Sequence, residues 1–350
     1  MNHPLSQRFV RFAESECLGS SELYYQLSLG MTEDEDLLDL ARFSKEGQPV
    51  PNLFFGAVHY LLSFDRDVPL TAFYPSLSAS PVGSEDDAFP AFREFVLSHR
   101  DEVIDVIGRR LVQTNEVRRC AYLFPSIQYA AGRFEDRPLA LIEIGTSAGL
   151  NLLWDKYSYR YGDLEGLGDG GSSVMIQSEI RGEFPDCLFG SVSRISHRIG
   201  LDLNIVDTSD PDEAAWLRAL IWPEHKERRD ILDAALRRRS GFDLDLRQGD
   251  GFSVIADVIN EIPEGSVACV YHTHVANQVD RESIETFLDT LAEIGKRRDL
   301  IHICNNIQPT LHLTFYKDGV EENVPLARTD GHARWFEWLA GGTDIARPSV

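Results

Sequence analysis

The chain has 350 residues, of which 43% are hydrophobic, 26% charged and 10% aromatic. That balance excludes global disorder, collagen-like repeats and disulfide-dense miniature scaffolds, and the length suits about two domains. With 34 basic against 56 acidic side chains the net charge is −22, so neither nucleic acid nor an anionic membrane surface is an expected partner.

The N-terminal segment MNHPLSQRFVRFAESE interleaves charges and lacks the apolar core of a signal peptide. Nothing downstream approaches the roughly 18 apolar residues of a membrane span. Cys17, Cys120, Cys187, Cys269 and Cys304 are odd in number and show no CxxC spacing, so free thiols in a reducing cytoplasm are expected.

The first 135 residues read as a helical domain. Phe9, Phe12 and Ala13, then Leu23, Gln26 and Leu27, then Leu37, Leu38 and Ala41 suggest short helices, and Leu53–Phe64 a buried one. Phe92, Phe95, Val96, His99, Val103 and Val106 lie on one face of a single longer helix, with Pro90 near its start. Between them, the proline- and serine-rich stretch 71–90 reads as a loop. The polar block 113–119 then precedes an apolar stretch, Cys120–Phe124.

From residue 136 to 350 the pattern changes to short apolar runs alternating with amphipathic helices. This is the grammar of a parallel α/β sheet. Leu139–Ile144, Val267–Tyr271 and Leu300–Cys304 read as buried strands, Ile284–Ile294 and Ala214–Arg239 as helices, the latter broken at Pro223. Thr310–Tyr316 alternates like an antiparallel strand. Tyr157, Tyr159 and Tyr161, then Val174, Ile176 and Ile180, read as the two arms of an inserted β-hairpin within 157–194.

The sharpest local signal is LIEIGTSAGLNLL (141–153): a strand, a turn of small residues, and an expected helix start. Such turns let backbone approach a ligand and offer N–H groups to an anion. The pattern Glu143-x-Gly145-x-Ser147-x-Gly149 resembles motif I of class I S-adenosylmethionine (SAM)-dependent methyltransferases. The expected SAM contacts are therefore Glu143, Gly145, Thr146, Ser147, Gly149 and Asn151. Two further segments resemble the second and third strands of that fold. RIGLDLN (198–204) supplies Asp202 for the ribose, with Glu179 as competitor. DLRQGDGF (245–252) supplies Asp250 and Gly251 near the adenine, an N-cap being the plain alternative for Asp250. His272, ending the fourth strand, is the expected catalytic base, with His274 beside it as a substrate contact. The His272-x-His274 spacing has no nearby cysteine or carboxylate to complete a metal set, so no metal is expected. Asn115, Glu116 and Arg118 are expected on the acceptor wall, because their block precedes the first strand and the helical half should roof the crevice.

Gly145-Thr146-Ser147-Ala148-Gly149 also matches the nucleophile elbow of α/β-hydrolases. The upstream strands and oxyanion motif of that fold are missing, which leaves a Ser147 hydrolase as the alternative. A non-enzymatic SAM or nucleotide sensor is another.

Over nearly its whole length the chain resembles a bacterial family known as domain of unknown function 2332. The resemblance rests on PNLFFGAVHYLL (51–62), TNEVRRCAYLFP (114–125), LIEIGTSAGLNLLWDKYSYRYG (141–162), SEIRG (178–182), IGLDLN (199–204), LIWPE (220–224) and VACVYH (267–272). It implies a helical N-terminal region and a Rossmann-like, SAM-methyltransferase-like domain acting on a small molecule, without naming the substrate.

Overall fold

The computed structural model describes residues 4–82, 87–135 and 137–341; four residues of the expected 71–90 loop, 83–86, lie outside them. The chain forms two compact units, Met1–Thr114 with Ser209–Asp230, and Asn115–Thr208 with Ile231–Val350. The division thus falls at 114/115 rather than 135/136, and a later segment returns to the first unit.

The first unit is helical: α1 (Ser6–Phe12), α2 (Glu22–Met31), α3 (Glu35–Ala41), α4 (Val50–Phe64), α5 (Phe89–Ser98) and α6 (Arg100–Arg109). The long helix expected through 92–106 is two helices. The backbone breaks at His99 (φ −113°, ψ 33°), whose Nδ1 meets the Phe95 carbonyl oxygen at 3.0 Å. The unit's core centres on α4, where Phe55 packs on Phe9, Tyr24 and Phe92 with ring centroids 4.8–5.8 Å apart. The returning segment carries α8 (Pro211–Ala219) and is bound into the same core. Gly56 leaves space for Leu220 and Trp216, whose carbons stand 3.2 and 3.4 Å from a Cβ built there. The Glu224 carboxylate accepts from Ser21 Oγ and from Leu23 N–H at 2.9 Å.

The second unit holds α7 (Cys120–Ala131), most of α9 (Lys226–Arg239), α10 (Gly251–Glu261) and α11 (Arg281–Gly295). Its strands are β1 (Leu139–Ile144), β2 (Ser158–Tyr161), β3 (Leu164–Gly168), β4 (Met175–Gly182), β5 (Ile195–Asp202), β6 (Asp245–Gln248), β7 (Val267–His272), β8 (Leu300–Cys304), β9 (Leu311–Lys317), β10 (Val320–Thr329) and β11 (Trp335–Trp338). They form one 11-stranded sheet in the order β3-β2-β4-β11-β10-β9-β8-β7-β1-β5-β6. The run β6-β5-β1-β7-β8 is wholly parallel; β9 and β10 are antiparallel to their neighbours. The protein is thus mixed α/β with a large, mostly parallel sheet.

The apolar runs explain the centre of this sheet. β1, β7 and β8 are buried at every position, as strands covered on both faces must be. One face carries Ala140, Ile142, Ile144, Val270 and Ile199 against Phe252 and Ile255 of α10 and Phe287 and Leu291 of α11.

The 157–194 segment differs from the expected hairpin. Its antiparallel partners are β2 and β3, whereas the second alternating run, β4, pairs with β2 in parallel and with β11. Gly162 (φ +59°) makes the tight reversal that the alternation alone does not mark. No helix among the described residues is long and apolar enough to cross a membrane, and all five cysteines are free.

Candidate functional site

The parallel run reverses its direction of growth between β1 and β7. Open α/β sheets offer a ligand crevice beyond the carboxyl ends at such a point. The turn after β1 sits there with Gly145 and Gly149 at φ +76° and Ser147 at φ +52°. This turn leads into a seven-residue 3₁₀ run, Leu150–Lys156, kinked at Leu153, in place of the expected α-helix. Carbonyls of the run are claimed by side chains: Leu150 O by Tyr157 Oη at 2.6 Å, Trp154 O by Tyr159 Oη at 2.5 Å, and Leu152 O by Arg198 Nη1.

The turn's donors are engaged as well. Gly145 N–H and Thr146 N–H donate to Leu201 O, Ser147 N–H to Asp202 Oδ2 at 2.7 Å, Gly149 N–H to Thr146 O, and Leu150 N–H to Asn115 Oδ1 at 3.1 Å. Gly145, Thr146, Ser147 and Gly149 thus spend their N–H groups within the protein. The glycines serve the turn's positive φ and close packing: a Cβ on Gly145 would lie 2.2 Å from Val275 Cγ2, and one on Gly149 2.9 Å from Leu244 Cδ1.

Glu143 is buried below this turn. Thr146 Oγ1 donates to its Oε2 at 2.8 Å, and Asn151 also hydrogen-bonds it. Burial nevertheless pushes its carboxyl up to about 8, the hydrogen bonds from Thr146 and Asn151 only partly opposing this. Asn151 in turn accepts from Cys120 Sγ at 3.3 Å.

Asp202 ends β5 beside β1, but its carboxylate also holds the turn, accepting from Ser147 N–H and from Asn204 N–H at 3.1 Å. Glu179, the alternative carboxylate, sits on a different strand. It lies exposed on β4 and pairs with Arg181 at 3.0 Å. Asp250 is the N-cap of α10, accepting from Phe252 N–H at 3.0 Å and from the Ser253 hydroxyl. Gly251 lets that helix start close against β1, since a Cβ would stand 2.8 Å from Ile144 Cγ2.

The 115–119 block reaches the same end of β1, although α7 and not the first strand comes next in the chain. Asn115 grips Leu150 N–H, and Glu116, buried, pairs with His332 Nδ1 at 3.2 Å. Arg118 is buried nearby in the sequence, and Arg119 Nη1 reaches Thr273 O at 3.4 Å. His274 adopts φ +56°, its N–H donating to Asn305 Oδ1 at 2.7 Å. Burial, with Arg119 next, holds its imidazole down at about 4, so it is neutral at physiological pH. Among the described residues, Ser147 Oγ, Arg119 Nε and His274 Nε2 are buried in this region without a hydrogen-bond partner. Buried polar groups are overwhelmingly paired, so such a cluster calls for a water or a ligand. The histidine that a hydrolase elbow places on its nucleophile is not among the partners of Ser147 Oγ. Sequence reasoning missed Arg119 and Asn305, which become functional candidates only through the fold.

His272 does not face this crevice. Side chains alternate along a strand, and in the β1–β7 register Tyr271 is opposite Glu143 while His272 is opposite Ile144. His272 consequently points to the α10–α11 face, between the rings of Phe252 and Phe287, and its Nε2 lies 3.2 Å from His302 Nε2. Burial there lowers its pKa to about 3, which unsuits it to the expected role of crevice base.

The chain matches, over residues 6–338, a family described as an uncharacterized protein conserved in bacteria (DUF2332), and belongs to that family. No curated protein and no solved structure matches it.

Proposed function

For this member of an uncharacterized bacterial family, we propose SAM binding at the carboxyl ends of β1 and β5 and methyl transfer to a small polar acceptor. The observation that carries this reading is the parallel run β6-β5-β1-β7-β8 with the Glu143–Gly149 turn at its switch point and Asp202 on the adjoining strand end. That arrangement resembles a class I methyltransferase sheet through its fifth strand. The donor set also suits SAM better than a nucleotide. Engaged turn N–H groups disfavour a phosphate, which SAM lacks, whereas partnerless Arg119 Nε and His274 Nε2 suit its carboxylate.

When bound, SAM would supply an electrophilic methyl group. The chain's part is then positioning, which supplies much of the rate in a displacement of this kind. Asp202 would accept from ribose hydroxyls, and it fixes the turn through Ser147 N–H. Glu143, neutral at pH 7, braces the turn through Thr146 and Asn151. The Glu116–His332 pair and Asn115 border the region where an acceptor would lie.

Isothermal titration of the full chain with SAM and with its demethylated product tests this. One site per chain is expected, with Asp202→Ala weakening binding by about 1.5–3 kcal/mol, the range for hydrogen bonds to a charged group. No binding at millimolar ligand would overturn the proposal. Covalent labelling of Ser147 by a fluorophosphonate would redirect it to the hydrolase.

A further inference from the structure

We propose that His272, His302 and Cys304 form a site for a zinc-class divalent metal ion, its fourth position facing a cavity beside His312. The register brings them together. His272 pairs with Cys304 across β7 and β8, and His302 lies two residues before Cys304, so all three share the α10–α11 face. On β9, His312 pairs with Cys304 and extends the row.

The geometry is that of a ligand set. A ligating atom of each of the three lies within 4.8 Å of the others, and all three residues are buried. The two Nε2 atoms are 3.2 Å apart. Two nitrogens bound tetrahedrally at 2.0–2.1 Å from one zinc ion stand about 3.3 Å apart. Two imidazoles and a thiol select zinc-like metals over magnesium or calcium, which prefer oxygen.

The surroundings point the same way. Phe252 and Phe287 flank the histidines, with centroid distances of 5.4–6.1 Å. Burial keeps both imidazoles neutral, the form that ligates. An access path exists: a cavity of about 240 Å³ is lined by His302, Cys304 and His312, with Asp289 at its wall. Burial keeps the Cys304 thiol protonated, its pKa pushed up to about 12. Binding therefore forms a metal–sulfur bond and releases one thiol proton to solvent, while the neutral imidazoles release none. This site faces away from Glu143 and does not depend on the SAM reading.

The test uses the full chain stripped of metal and titrated with Zn²⁺ and with Co²⁺. One metal per chain, about one proton released per metal, and a thiolate-to-cobalt charge-transfer absorption are expected. Cys304→Ser abolishes that absorption and weakens zinc binding at least tenfold. Cys269→Ser, on the opposite face of β7, preserves both. If Cys304→Ser does not fold, the wild-type absorption and proton count decide. Absence of stoichiometric binding, a cobalt complex without the thiolate absorption, or an absorption that survives Cys304→Ser would overturn the site and leave a hydrogen-bonded histidine pair.

Discussion

Replacing Asp155 by alanine is expected to cost about 3–5 kcal/mol of folding free energy. Asp155 ends the 3₁₀ run after the motif turn, and its two oxygens accept from Arg198 Nη1 and Nη2, both at 2.7 Å. The pair is almost dry, with side chains 5% and 13% exposed. Lys156 also meets Asp155 at 2.9 Å but is more exposed, so it can turn to solvent when the carboxylate is lost. Truncation strands the Arg198 guanidinium beside β5 with only the Leu152 carbonyl as a partner, and a buried unpaired charge is the expensive outcome. Urea denaturation gives the measurement, with the midpoint falling at unchanged slope. The double variant Asp155→Leu with Arg198→Met should recover much of the loss, because it removes both charges from the interior. A single-variant loss below about 1 kcal/mol would mean the pair is effectively solvated.

Relative to Glu143→Gln, the wild type is also expected to lose stability as pH rises from about 4.5 to about 8. Its carboxyl has an ordinary value of 4.5 and is held at about 8 in the folded chain, chiefly by burial. Across that window the folded state keeps a proton that the unfolded chain has lost. This contribution then declines with pH by up to about 1.4 kcal/mol per unit. Over the full window the loss is on the order of 4 kcal/mol. Glu143→Gln keeps an oxygen to accept from Thr146 and cannot ionise, so the difference between the two proteins isolates this group from the buried histidines His272 and His274, which act in the opposite sense. The variant should match the wild type near pH 5 and exceed it by several kcal/mol at pH 8. Parallel pH profiles for the two proteins would show that Glu143 ionises freely, against its burial beneath the turn.

The central strands were legible in the sequence because their physics is local. Apolar runs covered on both faces mark β1, β7 and β8, and period-two alternation marks β9. Pairing was less legible. Alternation in Tyr157–Tyr161 and Val174–Ile180 reveals strands but not partners, and the parallel β2–β4 pairing depends on the distant β11. The turn after β1 was recognisable from its glycines. Its internal closure was not, because Asn115, Leu201 and Asp202 come from elsewhere in the chain. His272 was misplaced by a single step of strand parity. Its partners His302 and Cys304 lie about thirty residues downstream, in an H-x-C pattern that becomes meaningful only in the β7–β8 register.

The most direct test of the proposed function is a crystal structure of the full chain grown with the demethylated product of SAM at saturating concentration. Methyl transfer from SAM at this turn predicts ligand density beyond the carboxyl ends of β1 and β5. Asp202 would lie within hydrogen-bond distance of the ribose hydroxyls, and Arg119 or His274 would contact the amino-acid carboxylate. Density confined to another part of the chain, or no ligand density beside the Glu143–Gly149 turn, would contradict it.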